Sequence, residues 1–136
     1  MDKDRTSTVT IGREEYTLLL SVFATKQIVK RYGSLEAIAD KIYDTENMEQ
    51  SLDETIWLIV LLANQSIAIY NLRNKDNPKP KLTTEEVELL ISPYDMADMK
   101  DAIINAMTRG GERYIVSEED DTDSKNTQDG SGTDGL

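Results

Sequence analysis

The chain has 136 residues and a formal net charge of −11, and it contains neither cysteine nor histidine. Without cysteine there is no disulfide, thiolate nucleophile or cysteine-ligated zinc, and without histidine the commonest acid–base catalyst near neutral pH is missing. The negative charge disfavours binding to nucleic acids and anionic membranes, because both attract proteins through Lys and Arg. We therefore expect a small binding domain that is not an enzyme and needs no cofactor.

The N-terminal part is predicted to form a β-hairpin after a flexible start at residues 1–7. Met1–Arg5 is charged and no apolar stretch follows it, so we expect no signal peptide. Thr8–Ile11 alternates, Gly12 interrupts the pattern, and Tyr16–Leu20 is aromatic and apolar, which together predict a hairpin. Because an isolated hairpin is marginal in water, it must pack on helices or pair with a further strand.

Two short helices are predicted next. The first covers Ala24–Tyr32 and ends at Gly33, since glycine commonly follows a helix C-terminus. Ser34 can cap the second helix, whose apolar residues keep helical spacing from Leu35 to Ile42.

The longest helix is predicted over roughly Leu52–Arg73. Ser51 and Glu54 have the spacing of a capping box, which favours a helix start at Ser51. Ile56–Ala63 is apolar on all sides, as is typical of a helix covered on most sides, and we expect it to form the centre of the core. This run is well below the roughly 18–20 residues that a membrane-spanning helix needs.

The C-terminal third is predicted to contain a loop, two helices and a short strand. Asn74–Lys81 holds two prolines and reads as the loop, and Thr83–Glu86 is a second capping box. Ser92 and the proline after it favour another helix start, and the glycine pair at Gly110 favours its end. Arg113–Val116 is then a strand candidate that could join the hairpin.

The last segment, Ser117–Leu136, is predicted to be an acidic disordered tail. Seven acids and one lysine give it a charge of −6 out of −11, which leaves −5 for the rest of the chain. It has too few apolar residues to offset the entropy of ordering. We therefore expect one folded domain over residues 8–116, of the α+β class and mainly α, with about five helices and the hairpin.

Three groups of side chains are candidate functional residues. Asp95, Asp98 and Asp101, with the neighbouring acids Glu85, Glu86 and Glu88, would hold Mg²⁺ only if their oxygens converged, and a solvated acidic face is the commoner arrangement. Lys26, Lys30 and Arg31 are the best candidates for a basic patch, although the solvated face of a short helix is by far the commoner explanation. We therefore predict no catalytic, metal or cofactor site.

The third group is apolar and lies on the last predicted helix: Met96, Met99, Ile103 and Met107. Flexible methionine-rich faces occur in proteins that bind varied apolar partners, although core filling is the commoner role. We take these four residues as the hypothesis for a partner-binding surface.

The order of segments along the chain forms a pattern of its own. The chain begins with a hairpin of sequence Thr-Val-Thr-Ile-Gly-Arg-Glu-Glu-Tyr-Thr-Leu, followed by Lys30-Arg31-Tyr32-Gly33-Ser34-Leu35. The Trp57-Leu58 helix and the Thr-Thr-Glu-Glu-Val helix come next. The pattern closes with Ala106-Met107-Thr108-Arg109-Gly110 before Arg113-Tyr114-Ile115-Val116. Over Val9–Val116 this order resembles the tail-assembly chaperones of long-tailed (siphovirus-type) bacteriophages and prophages. The resemblance depends on pattern and order, since no single motif in it is diagnostic.

The resemblance implies a protein that binds the tape-measure protein, keeps it soluble and helps to recruit tail-tube subunits. It implies action in the cytoplasm of the bacterial host and absence from the mature virion, with self-association left open. One alternative is an acidic phage-encoded inhibitor that mimics nucleic acid, and the other is a carboxylate-dependent metal enzyme. Mimicry needs acids fixed on the folded domain, whereas about half of the net charge lies in the predicted tail.

Overall fold

The structure is a computed structural model that describes the backbone of residues 6–122 and the side chains of residues 6–109. This part of the chain forms a two-stranded antiparallel sheet and five α-helices. The elements are β1 (Thr6–Ile11), β2 (Glu14–Leu19), α1 (Val22–Tyr32), α2 (Ala37–Ile42), α3 (Met48–Arg73), α4 (Thr84–Leu90) and α5 (Met96–Thr122). The predicted α+β, mainly α fold is confirmed.

The hairpin forms as predicted and starts slightly earlier, at Thr6. Ile11 pairs with Glu14 across a two-residue loop in which Gly12 has φ 66°, a left-handed conformation that favours glycine. The sheet lies on the helices, with β1 along α5 and β2 along α3. The hydroxyl of the buried Ser7 donates a hydrogen bond to the Ala102 carbonyl oxygen of α5 at 2.7 Å.

α1 and α2 have local start and stop signals. Ser21 caps α1 by accepting a hydrogen bond from the Ala24 amide, so the helix begins at Val22 rather than at the predicted Ala24. It ends at Gly33, as predicted, where φ is 90°. The Ser34 hydroxyl accepts a hydrogen bond from the amide of Ala37, the first residue of α2.

α3 begins four residues earlier than predicted. Asn47 is its N-cap, and its side chain accepts a hydrogen bond from the Gln50 amide. The predicted capping box is wrong: Ser51 is buried inside the helix and donates to the Ile42 carbonyl oxygen, and Glu54 pairs with Arg31. These tertiary contacts link α3 to α2 and α1.

α3 is also the centre of the core, as its apolar composition predicted. Leu58, Ile59 and Leu62 are fully buried in one cluster with residues from the hairpin and every other helix. With 26 residues, α3 is long and apolar enough to cross a membrane by length and composition alone. The predicted apolar run of eight residues therefore understated its length, but the core helix of a soluble protein passes the same test.

The helices after α3 start where the capping boxes predicted. Thr83 and Glu86 form the reciprocal box at the start of α4, and Ser92 with Asp95 forms another at a 3₁₀ turn, Pro93–Asp95, that leads into α5. Between α3 and α4 the chain runs as the predicted loop.

The predicted end of α5 is wrong. The helical backbone continues through Gly110 to Thr122, so the glycine pair does not stop the helix and Arg113–Val116 is not a strand. Glycine lowers helix stability by about 1 kcal/mol per residue, but it ends a helix only where it adopts a left-handed cap. The first six residues of the predicted tail are also helical, whereas residues 123–136 and 1–5 lie outside the described residues.

Candidate partner-binding surface

The four residues predicted to contact a partner lie on the buried side of α5. Met96, Met99 and Ile103 expose 7 %, 2 % and 0 % of their surface, and Met107 is partly buried against the core. Met99, Ile103 and Met107 pack in or against the hydrophobic core, and Met96 borders a cavity shared with α3 and the end of α4. Their burial disagrees with the hypothesis of an exposed contact surface and agrees with core filling, so the exposed apolar residues must be sought elsewhere.

The acidic candidates act as helix caps or lie on the surface. An Asp95 carboxylate oxygen accepts a hydrogen bond from the Ser92 amide at 2.8 Å, and Glu86 does the same for the Thr83 amide at 2.9 Å. Among the side chains of residues 6–109, no three acids lie close enough together to hold a metal ion. The arrangement places carboxylates at helix N-termini, where they complement the helix dipole.

The outer side of α1 combines apolar and basic side chains. Val22, Phe23 and Val29 are 78 %, 58 % and 43 % exposed, which is high for large apolar side chains. At 100° per residue, these three and the exposed Lys26 and Lys30 lie within an arc of about 120° centred on Lys26. We call these five residues the outward α1 face.

Among residues 6–109, α1 packs on the body through the side opposite the outward α1 face, and these residues leave that face uncovered. Ala24 and Ile28 are fully buried, and the helix contacts α3. The helix contains three basic residues and no acid, in a chain of net charge −11. Its exposed surface is therefore locally positive as well as apolar.

Polar contacts at both ends fix α1 antiparallel to α3. Near its start, the Ser21 hydroxyl lies 2.5 Å from the Gln65 side-chain oxygen. At its end, Arg31 forms an ion pair with Glu54 at 2.9 Å, and its guanidinium lies 4.3 Å from the centre of the Trp57 ring. α1 therefore presents its outward face from a fixed position.

The ion pair lies in a partly desolvated cluster. Burial alone would raise the pKa of Glu54, but hydrogen bonds from Arg31 and Tyr32 outweigh it and hold that pKa below its usual value. Burial, followed by the hydrogen bond to Glu54, raises the pKa of the Tyr32 hydroxyl. Glu54 is therefore ionised at neutral pH, when it binds both neighbours.

Sequence reasoning missed the outward α1 face because it began the helix at Ala24, which leaves Val22 and Phe23 outside it. The signal was present: Ser21 is a favoured N-cap residue directly before Val22. The predicted basic patch is divided by the structure, since Lys26 and Lys30 lie on the exposed side of the helix while Arg31 pairs with Glu54.

No protein family, curated protein or solved structure matches this chain. Its function must therefore be inferred from the order of its sequence segments and from the surface of its fold.

Proposed function

We propose that this chain is a tail-assembly chaperone of a long-tailed phage or prophage. It binds the tape-measure protein in the bacterial cytoplasm, keeps it soluble, helps to recruit tail-tube subunits and does not remain in the finished virion. The proposal is supported by the segment order over Val9–Val116, which resembles that family. It is also supported by a mainly helical body that leaves apolar side chains uncovered.

The observation that carries the proposal is the outward α1 face. An amphipathic helix of a partner can cover Val22, Phe23 and Val29 with its apolar stripe and place acidic residues beside Lys26 and Lys30. Such a helix is aggregation-prone when it is free, and covering its stripe keeps it in solution.

The size of this face sets the mode of binding. Full burial of a large apolar side chain contributes about 1.5–3 kcal/mol, so three of them contribute roughly 5–9 kcal/mol before costs. Association costs about 4–15 kcal/mol, so this face alone gives weak binding. Weak, repeated contacts along a long helical partner suit a chaperone that is released when the tail tube assembles.

The test is co-expression of the chain with the tape-measure product of the same phage or prophage, scored by the soluble fraction of that product. The double variant Val22→Ser/Phe23→Ser should lower the soluble fraction several-fold, because it removes most of the apolar contact. The matched control is Leu72→Ser/Leu89→Ser, which alters side chains that are 70 % and 77 % exposed outside α1. Circular dichroism of each variant checks that the fold is intact.

Three outcomes decide the assignment. A tape-measure product that is equally soluble without this chain would contradict the chaperone proposal itself. Equal losses in both double variants would leave the chaperone role but remove the contact from the outward α1 face. Loss of binding on deletion of residues 123–136 would contradict the proposal that the chaperone binds its partner through the folded domain.

A further inference from the structure

A groove runs along the outer edge of β2. Four consecutive β2 residues, Glu14–Thr17, line one cavity of about 700 Å³ together with residues of α3 and of the loop after it. Because successive strand residues point to opposite faces, a cavity lined by all four lies along the edge of the strand. β1 occupies the other edge of β2, so the groove borders the free edge.

The main chain along this edge is open. Ile11 and Glu14 flank a two-residue loop, so they form a hydrogen-bonded pair, and antiparallel pairs then alternate along the ladder. The alternation turns the amide and carbonyl groups of Glu15 and Thr17 outward, and no other described backbone segment pairs with them. On the opposite edge, the same alternation turns the Thr6 carbonyl outward.

The hydrogen bonds of that opposite edge agree with this pattern. Arg109 of α5 donates a hydrogen bond to the Thr6 carbonyl oxygen at 2.6 Å, so a side chain already uses the outer edge of β1. The polar cavity beside β1 is lined by α5 residues, including Asp98 and Asp101. The two edges of the hairpin therefore differ, and the β2 edge is the one with an apolar floor.

Helix α3 forms the floor of the groove and also anchors the chain segment that forms its second wall. Ala63, Ile67 and Tyr70 form the apolar part of the floor, and Lys79 and Pro80 form the wall opposite β2. The Lys79 ammonium lies 4.3 Å from the centre of the Tyr70 ring. The groove is thus a slot between a strand edge and a second stretch of chain.

Two asparagines of α3 fix this wall. The Asn71 side chain donates to the Lys79 carbonyl oxygen at 3.0 Å and accepts from the Lys79 amide at 2.8 Å. Asn64 holds Leu82 in the same way, at 2.9 Å and 2.8 Å. Seven residues of helix span about 10.5 Å and three residues of extended chain about 10 Å, so both clamps fit only if Lys79–Leu82 is extended.

We infer that this groove binds an extended segment of a partner protein, which adds as a third strand to the free edge of β2. An extended segment is favoured over a helix because only a strand satisfies the outward main-chain groups of Glu15 and Thr17. Its alternate apolar side chains point to Ile67 and Tyr70. This contact is separate from the outward α1 face.

Charge indicates the chemistry of the bound segment. Glu14 and Glu15 line the hairpin end of the groove, whereas Lys79 lies over Tyr70 in the opposite wall. The segment therefore carries a basic residue at the hairpin end. The acidic residues 117–136 of this chain have the wrong charge for that end, and we therefore place a basic segment of another protein there.

The test uses a capped hexapeptide of alternating valine and threonine with lysine at one end, titrated into the ¹⁵N-labelled full chain. We expect the amide resonances of Glu15 and Thr17 to shift more than those of Thr8 and Thr10, which lie on the other edge. A peptide methylated at every backbone amide nitrogen has no N–H donor on either edge and cannot approach a strand closely, so it should bind about tenfold more weakly or not at all. Replacing its lysine by glutamate should also weaken binding.

A matched pair of variants tests the site in the protein itself. Thr8 and Thr17 face each other in the ladder, and each turns its amide outward, so proline at either position keeps the hairpin hydrogen bonds. Thr17→Pro should weaken peptide binding about tenfold, because it removes a donor and blocks the edge. Thr8→Pro should change binding by less than about twofold.

Several results would overturn the inference. These are no binding of the lysine peptide at millimolar concentration, equal binding of the methylated peptide, or equal weakening by the two proline variants. If Thr17→Pro does not fold, the methylated peptide still decides the question with the unmodified protein. Equal binding of the glutamate peptide would refute the assignment of a basic segment.

Discussion

Replacing Asn64 by alanine tests whether the asparagine clamps hold the wall of the β2 groove. The substitution removes two hydrogen bonds, each with a net contribution of about 0.5–1.5 kcal/mol, so the free energy of unfolding should fall by about 1–3 kcal/mol. The upper half of that range applies because Leu82 is only 3 % exposed, which limits access of water to its freed amide and carbonyl. Asn71→Ala should cost less than about 1 kcal/mol, since water can replace the exposed bonds to Lys79.

The assay is urea unfolding followed by circular dichroism. With a slope of about 1–3 kcal/mol per molar urea, the Asn64→Ala midpoint should fall by roughly 1 M. Asn64→Asp should be no more stable than Asn64→Ala. It keeps the acceptor for the Leu82 amide, but it turns a carboxylate oxygen toward the Leu82 carbonyl oxygen. Asn105→Ala, on the exposed face of α5, is the control. If Asn64→Ala and Asn105→Ala unfold at the same urea concentration, the clamp does not stabilise this wall.

Two further predictions concern the start of α4 and the contact of α1 with α3. Thr83→Ala should lower the free energy of unfolding by about 1 kcal/mol, seen as a melting temperature several degrees lower, because it removes the cap of α4; an unchanged melting temperature would contradict this. Glu54 has a pKa below its ordinary value of about 4.3, so its stabilising contribution is complete above that value and is lost as the pH falls through the folded-state pKa. Glu54→Gln should therefore be less stable than the original chain at pH 7, with a gap that narrows in acid; a constant gap from pH 7 to pH 3 would refute the assignment.

The parts of the fold that could be predicted are those decided by local signals. Gly33 ends α1 because a left-handed residue is needed there, and Thr83 caps α4 because its side chain and that of Glu86 bond each other's backbone. At Ser51 the same kind of pattern misled the prediction. Its hydroxyl bonds the carbonyl of Ile42, a partner brought close only by the packing of α2 on α3.

The two candidate surfaces were harder to predict, because exposure depends on which helix covers which face. The methionines of α5 and the apolar residues of α1 look alike in sequence, yet the former are buried or partly buried while Phe23 faces outward. The β2 groove needs the positions of three separate segments. The sequence indicated only that a two-stranded hairpin has two edges, either of which could be left without a neighbouring strand.

The all-round apolar composition of α3 follows from its contacts on opposite sides. At 100° per residue, the side that contacts α1, which includes Trp57 and Gln65, lies roughly opposite the side that lines the β2 groove, which includes Ala63 and Tyr70. Between them lie core residues such as Leu58, so nearly the whole circumference is in contact with protein. This explains a composition that would otherwise suit a membrane-spanning helix. Because the outward α1 face and the β2 groove lie on opposite sides of α3, a bound helix on one leaves the other open to a bound strand.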